Sequence, residues 1–329
     1  MKDFAHRKPF PETIASSAAL SMFVVFGRMI GVGGEYIYGG WRGAWLTSLV
    51  AFALGLLIFP FFAAVSGLIF SRGEGGTVPE KIIYLVSSLA VGLGAVYVGL
   101  SVLDKGGAFV IDIMGVEIDK RLTGAVLLLA AAYVAASGAN AVKKLSRVAL
   151  AVSVISALML FLMSLTRGAD LPESFGAMIS NGAFADVSVA DGVKNAFLSV
   201  FAPCAVGIAW MSVTGEGREN VGTAISNTLC GLAVGAVTVV LCFLTVIFSQ
   251  GLAYASTQKY PYISAVGAMT AGKLFMRPEG AVYFAYLAAV FTVLSVCISL
   301  LSRFLDNGRM KRTPYAVSAV MMVIYIFLG

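Results

Sequence analysis

The sequence is short of charged residues and contains almost no histidine. Asp, Glu, Lys and Arg together make up 12% of its 329 residues, against about 25% in soluble globular domains. A soluble fold of this size could not cover its surface with so few charges, so the composition excludes secreted, cytosolic and disordered proteins. The one histidine, His6, lies in the N-terminal tail. Histidine catalysis and histidine-ligated metals are therefore excluded within the apolar part of the chain.

Motifs for covalent chemistry, disulfides and zinc binding are also missing. The four cysteines fall inside apolar stretches without a CxxC pair, which predicts small buried side chains: Cys204, Cys230, Cys242 and Cys297. No GxSxG, HExxH or kinase signature occurs. The segment from Gly267 to Lys273 approaches a phosphate-binding loop, but Leu274 stands where Ser or Thr must hold Mg²⁺. We therefore expect neither enzymatic activity nor a bound cofactor or metal.

Apolar residues dominate the chain instead. They make up 59% of the residues, and the mean hydropathy is +0.91. A helix needs about 20 predominantly apolar residues to cross a bilayer core of roughly 30 Å, and the alternation typical of a membrane barrel is absent. We therefore predict an all-α, multi-span membrane protein with nine spans: residues 14–38, 43–70, 81–103, 121–139, 146–166, 193–213, 221–249, 280–302 and 314–329.

The distribution of Lys and Arg predicts a cytoplasmic N-terminus. That orientation places thirteen of the 23 Lys and Arg residues on the inner side and nine on the outer side, with Arg28 inside the membrane. The inner excess is clearest in the short segments 140–147 and 302–314. We interpret the net charge of +6 as an orientation signal in the cell's inner membrane, and we expect no nucleic-acid partner.

Three outer segments are long enough to be structured: residues 104–120, 167–192 and 250–279. Within the last one, Ile263–Phe275 alternates apolar and small polar residues. This run predicts either a short helix lying across the outer face or a solvated loop.

Span one contains a cluster of glycines in the middle of an apolar stretch. Gly31, Gly33 and Gly34 allow backbone conformations closed to other residues. An interrupted helix here would direct backbone N–H groups at an anionic ligand such as a carboxylate. The alternative is close helix packing, because glycines four residues apart let helices approach. The chain has two such pairs: Gly27 with Gly31, and Gly231 with Gly235, for which packing is the expected role.

Arg28 lies near the predicted bilayer centre, where a charge costs at least about 2.5 kcal/mol. It should therefore face a partner or water. Glu35, seven residues later, shares its face if the helix is continuous, so the two side chains form one candidate pair. Alternatively, Arg28 binds a ligand or a lipid phosphate, and Glu35 faces an outer vestibule.

Span six contains Pro203, followed by Gly207. A mid-span proline removes a backbone donor and clashes with the preceding turn, so Phe201–Gly207 is predicted to be a break, with a simple kink as the alternative. Spans one and six are five spans apart. That spacing is expected where two inverted five-helix repeats meet at a central site.

Several stretches resemble known membrane proteins. The motif Gly27-x-x-Ile30-Gly31-x-Gly33 resembles the first-helix motif of the amino acid–polyamine–organocation superfamily, whose members have the LeuT-like fold of two inverted five-helix repeats. Three further stretches resemble the B subunit of GerA-type spore germinant receptors: Arg42-Gly43-Ala44-Trp45-Leu46, Gly76-Thr77-Val78-Pro79-Glu80, and Tyr260-Pro261 with Gly272, Phe275 and Arg277-Pro278-Glu279. The likeness is diffuse and runs over most of the chain.

The resemblance implies one permease-like domain over residues 1–329. Its first repeat covers 14–166 and its second 193–329. The family pattern has ten spans. The nine found here imply either a second repeat without its last helix or a span that has been merged or missed.

The resemblance also implies a function. It predicts a receptor subunit that binds a small amino-acid-type ligand and works with other germinant-receptor subunits in the spore inner membrane. The wider superfamily implies a secondary amino acid transporter, coupled to H⁺ or Na⁺, as the alternative. The expected ligand-binding positions are Arg28, Gly31, Gly33, Gly34, Tyr97, Ala202, Cys204 and Gly207. A cation site is implied at Thr292, Ser295 and Ser299, and for both sets packing with local backbone hydrogen bonding is the alternative.

Overall fold

A computed structural model describes residues 17–25, 41–72, 77–114, 119–166, 201–214, 221–255, 258, 260–269, 278–306 and 312–328. Within these ranges the chain forms ten helices and no strand: α1 (17–25), α2 (Trp41–Arg72), α3 (Val78–Met114), α4 (Lys120–Ala136), α5 (Ala139–Thr166), α6 (Ala202–Val213), α7 (Val221–Ala255), α8 (Pro261–Gly267), α9 (Glu279–Asp306) and α10 (Thr313–Leu328). Each of the nine predicted spans overlaps one of these helices. The all-α prediction is therefore confirmed for this part of the chain.

Five of these helices are long and apolar enough to cross a membrane: α2, α3, α5, α7 and α9. The shorter α6 and α10 are also apolar. Large apolar side chains remain exposed on the outside of the bundle, as lipid contact requires. The structure thus fits a multi-pass membrane protein, as the composition predicts.

Helix α9 lies at the centre of the bundle. Of its apolar window, 78% is buried, against 22% for α3. Helix α9 contacts α3, α4, α5, α6, α8 and α10. A helix that is apolar on every face suits such a position, because no face has to meet water.

The remaining contacts form two groups around this centre. Helices α1, α2, α6 and α7 pack on one another, and helices α3, α4, α9 and α10 do the same. Helix α5 contacts both α7 and α9 and so joins the groups. Helices α3 and α9 also contact α6, which places α6 where the two groups meet.

The connection between α4 and α5 is tighter than predicted. Helix α5 begins at Ala139, so the expected inner loop over 140–147 is wrong, and Lys143, Lys144 and Arg147 lie on the first turns of a helix. The reason is Gly138, whose φ of 98° reverses the chain directly after α4. A left-handed residue after a helix satisfies its last carbonyls and ends it sharply.

Substituting Gly138 with alanine is expected to destabilise the protein by about 1–2 kcal/mol. The left-handed backbone conformation is less favourable by this amount for a residue that has a Cβ atom. No atom lies within 4 Å of a Cβ built at Gly138, so the cost is one of backbone conformation alone. Thermal unfolding of the purified protein would measure it. The matched control is Gly280→Ala, which also has open space but lies in helix α9 without a positive φ. Equal unfolding temperatures for the two variants would contradict this explanation.

Helix α3 is longer than the predicted span. It continues to Met114, so residues 104–114, expected in an outer segment long enough to be structured, are helical. Asp104 forms an ion pair with Lys120 at the start of α4. Asp119 caps α4, because its side chain accepts a hydrogen bond from the Arg121 N–H at 2.9 Å. These contacts connect the ends of α3 and α4.

Helix α8 lies beside α7 and α9, where the sequence predicts a short outer helix or a loop. The structure supports the helix, over Pro261–Gly267. Tyr260, just before it, donates a hydrogen bond from its hydroxyl to Asp112 Oδ2 of α3 at 2.6 Å. Burial first, and then the hydrogen bond and charge of Asp112, raise the pKa of the Tyr260 phenol above its ordinary value. The Tyr260 hydroxyl therefore stays protonated and can keep donating at neutral pH. Phe109 of α3 packs against Tyr260 and Tyr286, with ring centroids 5.6 and 3.9 Å away.

The cysteine prediction is confirmed. All four cysteines are free thiols, and Cys204, Cys242 and Cys297 are buried while Cys230 is partly buried. They act as small apolar side chains within the bundle.

Candidate functional site

Helices α1 and α6 pack directly against each other at Gly207. A Cβ built at Gly207 would lie 3.0 Å from Phe23 Cδ2 and 3.2 Å from Leu20 Cδ1. Glycine therefore permits the close approach of the two helices. Phe23, Leu20 and Gly207 are all buried. The structure thus brings together the two spans that the sequence places at a central site.

Helix α1 makes a second close contact with α7. A Cβ at Gly231 would lie 2.9 Å from the Ser17 carbonyl oxygen, and one at Gly235 would lie 2.8 Å from Val24 Cβ. The Ser21 hydroxyl hydrogen-bonds to the carbonyl oxygens of Gly231 (3.0 Å) and Ser17 (3.1 Å). The packing role predicted for the Gly231–Gly235 pair is confirmed. Every residue of α1 is buried.

The predicted break in span six is not seen in the residues that the structure describes. Phe201 has helical dihedral angles, φ −69° and ψ −51°, and α6 runs without interruption from Ala202 to Val213. Pro203 is the second residue of α6 and follows directly on Phe201, which is in a π-helical conformation. Gly207 serves close packing rather than unwinding. Residues 202–207 are therefore α-helical rather than unwound, Phe201 is π-helical, and residues 193–200 of span six lie outside the described ranges.

The predicted ligand-binding residues fall into three groups. Arg28, Gly31, Gly33 and Gly34 lie outside the described residues, as does Glu35, and they follow directly in sequence on α1. On α6, Cys204 and Gly207 are buried and Ala202 is partly buried. Tyr97 lies on an outward face of α3 with 52% of its surface exposed, so the structure does not bring it to Cys204 and Gly207.

The three hydroxyls of the predicted cation site are engaged in separate hydrogen bonds. Thr292 donates to the Ala288 carbonyl oxygen of its own helix at 2.8 Å. Ser295 donates to the Ala131 carbonyl oxygen of α4 at 3.3 Å. Ser299 accepts from the Trp210 indole N–H of α6 at 3.1 Å. This arrangement favours the alternative of packing and local hydrogen bonding for these hydroxyls.

Two polar features of this region were missed at the level of sequence. Trp210 is the largest fully buried side chain in the described residues, and its bond to Ser299 connects α6 to α9. Asn227 is buried within α7. The sequence does contain a signal for both, namely a tryptophan and an asparagine inside apolar spans. Their polar groups need hydrogen-bond partners within the bundle.

Metal-binding side chains are not clustered in the described ranges. No group of three His, Cys, Asp or Glu residues in them could hold a metal ion. Within the described residues, the buried polar side chains include those of Ser, Thr, Asn, Trp and Tyr.

No protein-family model matches the chain, and no curated protein matches it at a significant level.

Proposed function

We propose that this chain is a permease-like germinant receptor subunit that binds a small amino-acid-type ligand where helices α1 and α6 meet. The contact of Phe23 and Leu20 with Gly207 carries the proposal. It places the end of α1, the helix that the glycine-rich segment 26–35 follows in sequence, beside a buried face of α6. The sequence resemblance to the B subunit of GerA-type receptors supplies the ligand class and the partner subunits.

Part of the pattern of helix contacts is compatible with an arrangement of two repeats, whereas the contact α2–α3 has no α7–α9 counterpart of similar extent. An inverted repeat exchanges α1 with α6, α2 with α7, α3 with α9, and α4 with α10. Under this exchange the contacts α2–α7, α3–α9 and α4–α10 map onto themselves. The contact α3–α4 maps onto α9–α10, and α2–α6 maps onto α7–α1. Helix α5 has no counterpart among the described helices.

The binding chemistry would be non-covalent. Backbone N–H groups of Gly31, Gly33 and Gly34 would receive the ligand carboxylate, with Arg28 as a further anion partner. The buried surface around Cys204 and Gly207 would receive the ligand side chain. Binding would favour one arrangement of α1, α2, α6 and α7 against α3, α4, α9 and α10. In a receptor, this shift passes to partner subunits.

A panel of amino acids tested by thermal shift on the purified protein would examine this site. We expect at least one amino acid to raise the unfolding temperature of the unaltered protein. Gly31→Leu and Gly33→Leu are expected to weaken its binding by about tenfold or more, equivalent to roughly 1.4 kcal/mol. Gly280→Leu is the control, because a Cβ there meets no atom within 4 Å. Unchanged binding in both Gly31→Leu and Gly33→Leu would refute the proposed site.

The superfamily pattern favours one second candidate, a secondary amino acid transporter coupled to H⁺ or Na⁺. The two candidates differ in what the chain does alone. Reconstituted in vesicles, a transporter accumulates labelled amino acid along an imposed H⁺ or Na⁺ gradient, whereas a receptor subunit binds it without accumulation. Gradient-driven uptake would exclude the receptor version. Dependence of the ligand response on partner subunits would support it.

A further inference from the structure

A small pocket lined by both apolar and polar residues lies between α2, α6 and α7, and none of the hydroxyls of the cation site implied by the resemblance lines it. It is lined by Ala63 of α2, by the last turns of α6, and by Ala224, Asn227 and Thr228 of α7. It has room for about one water molecule or one small ion. Three of its lining residues, Ser212, Asn227 and Thr228, carry side-chain oxygens.

Asn227 needs a partner that the described protein atoms do not supply. Its side chain is only 3% exposed, and its Oδ1 atom has no hydrogen-bond partner. Burying an amide oxygen without a hydrogen-bond partner costs folding free energy. Inside an apolar bundle, water can supply the missing bond only where a cavity holds it. An occupant that approaches Oδ1 with positive charge or a proton would remove this cost.

The two hydroxyls of the pocket have already used their hydrogens. Ser212 Oγ donates to the Ile208 carbonyl oxygen at 3.0 Å. Thr228 Oγ1 donates to the Ala224 carbonyl oxygen at 2.8 Å. What these oxygens have left are lone pairs, which only accept hydrogen bonds or bind cations. Together with Asn227 Oδ1, the pocket presents three neutral oxygen acceptors.

The helix ends favour a positive occupant over a negative one. Ser212 lies in the last turn of α6, where the carbonyl end of the helix carries partial negative charge. Asn227 and Thr228 lie in the second turn of α7, beyond the first turn to which its positive end is confined. The ends of short helices coordinate Na⁺ in membrane transporters by the same electrostatics.

We propose that this pocket binds one monovalent cation, coordinated by Asn227 Oδ1, Ser212 Oγ and Thr228 Oγ1. Such an ion would tie α6 to α7. The site is independent of the proposed amino acid site, so each can fail without the other.

The test compares unfolding temperatures of the purified chain in NaCl, KCl and choline chloride at equal ionic strength. We expect Na⁺ or K⁺ to raise the temperature by about 3 °C or more over choline, with saturation. Asn227→Leu and Thr228→Val remove acceptors and are expected to abolish this difference. Thr238→Val is the matched control, because Thr238 is a buried residue of α7 whose hydroxyl donates to the Val234 carbonyl oxygen at 2.8 Å outside the pocket.

Two results would overturn the proposal. Equal unfolding temperatures in all three salts would mean that the pocket holds water alone. An ion effect that survives in both Asn227→Leu and Thr228→Val would place the ion elsewhere. If Asn227→Leu does not fold, the near-isosteric Thr228→Val decides between these outcomes.

Discussion

Replacing Gly231 with alanine is expected to destabilise the protein by about 2–3 kcal/mol, and replacing it with leucine by more. The added Cβ would meet the Ser17 carbonyl oxygen at 2.9 Å and Leu20 Cβ at 3.2 Å. The Ser17 oxygen belongs to the backbone and Leu20 Cβ is bonded directly to it. Neither atom can therefore move by a side-chain rotation. Helix α1 would have to move away from α7, which also breaks the hydrogen bond from Ser21 to Gly231.

Thermal unfolding in nanodiscs would measure this loss. Gly267→Leu is the control, since a Cβ at that position has no atom within 4 Å. If Gly231→Leu unfolds at the temperature of this control, then the close contact between α1 and α7 does not contribute to stability.

Trp210→Ala is expected to cost about 3–5 kcal/mol of unfolding free energy, the range for removing a large buried aromatic side chain. Trp210 is fully buried in α6, where α6 meets both helix groups. The substitution leaves a cavity and also removes the hydrogen bond from the indole N–H to Ser299. The resulting loss weakens the contact between α6 and α9.

A double-mutant cycle separates packing from the hydrogen bond. Trp210→Phe keeps a large aromatic ring but removes the indole N–H. We expect the lost hydrogen bond to lower the free energy of unfolding by about 1–2 kcal/mol, in addition to the effect of the smaller side chain. Ser299→Ala is expected to lower it by a similar amount. The double variant should cost clearly less than the sum of the two single variants, because each of them breaks the same bond. Strict additivity would mean that the bond from Trp210 to Ser299 contributes nothing.

Hydropathy predicts the helices of this bundle well, because every span that crosses lipid needs a long run of apolar residues. Each predicted span overlaps a helix in the described residues, and the glycine pair in α7 packs as its spacing indicates. Hydropathy does not predict where helices continue past the apolar core. Residues 104–114 are predicted to lie outside span three, in an outer segment, yet the helix of that span continues through them. The turn at Gly138 likewise depends on one backbone angle that hydropathy does not report.

The candidate site was harder to predict, because its features depend on which helices become neighbours. Pro203 looks the same in sequence whether it interrupts a helix or lies in its first turn. Gly207 resembles a helix breaker until Phe23 and Leu20 are seen against it. The pairing of Trp210 with Ser299 joins residues 89 positions apart. Sequence periodicity within one span contains no information on such partners.

The contact between Ser21 and Gly231 spans 210 residues of chain. At roughly 5–20 residues per second, a ribosome needs on the order of 10–40 s to synthesise that interval. During this time the first helix has left the ribosome without the neighbours that later enclose it. Its serines must meanwhile be accommodated by lipid or by the insertion machinery. The helices that enclose α1 are therefore completed late in biogenesis. A chain truncated before Gly231 cannot make this contact at all.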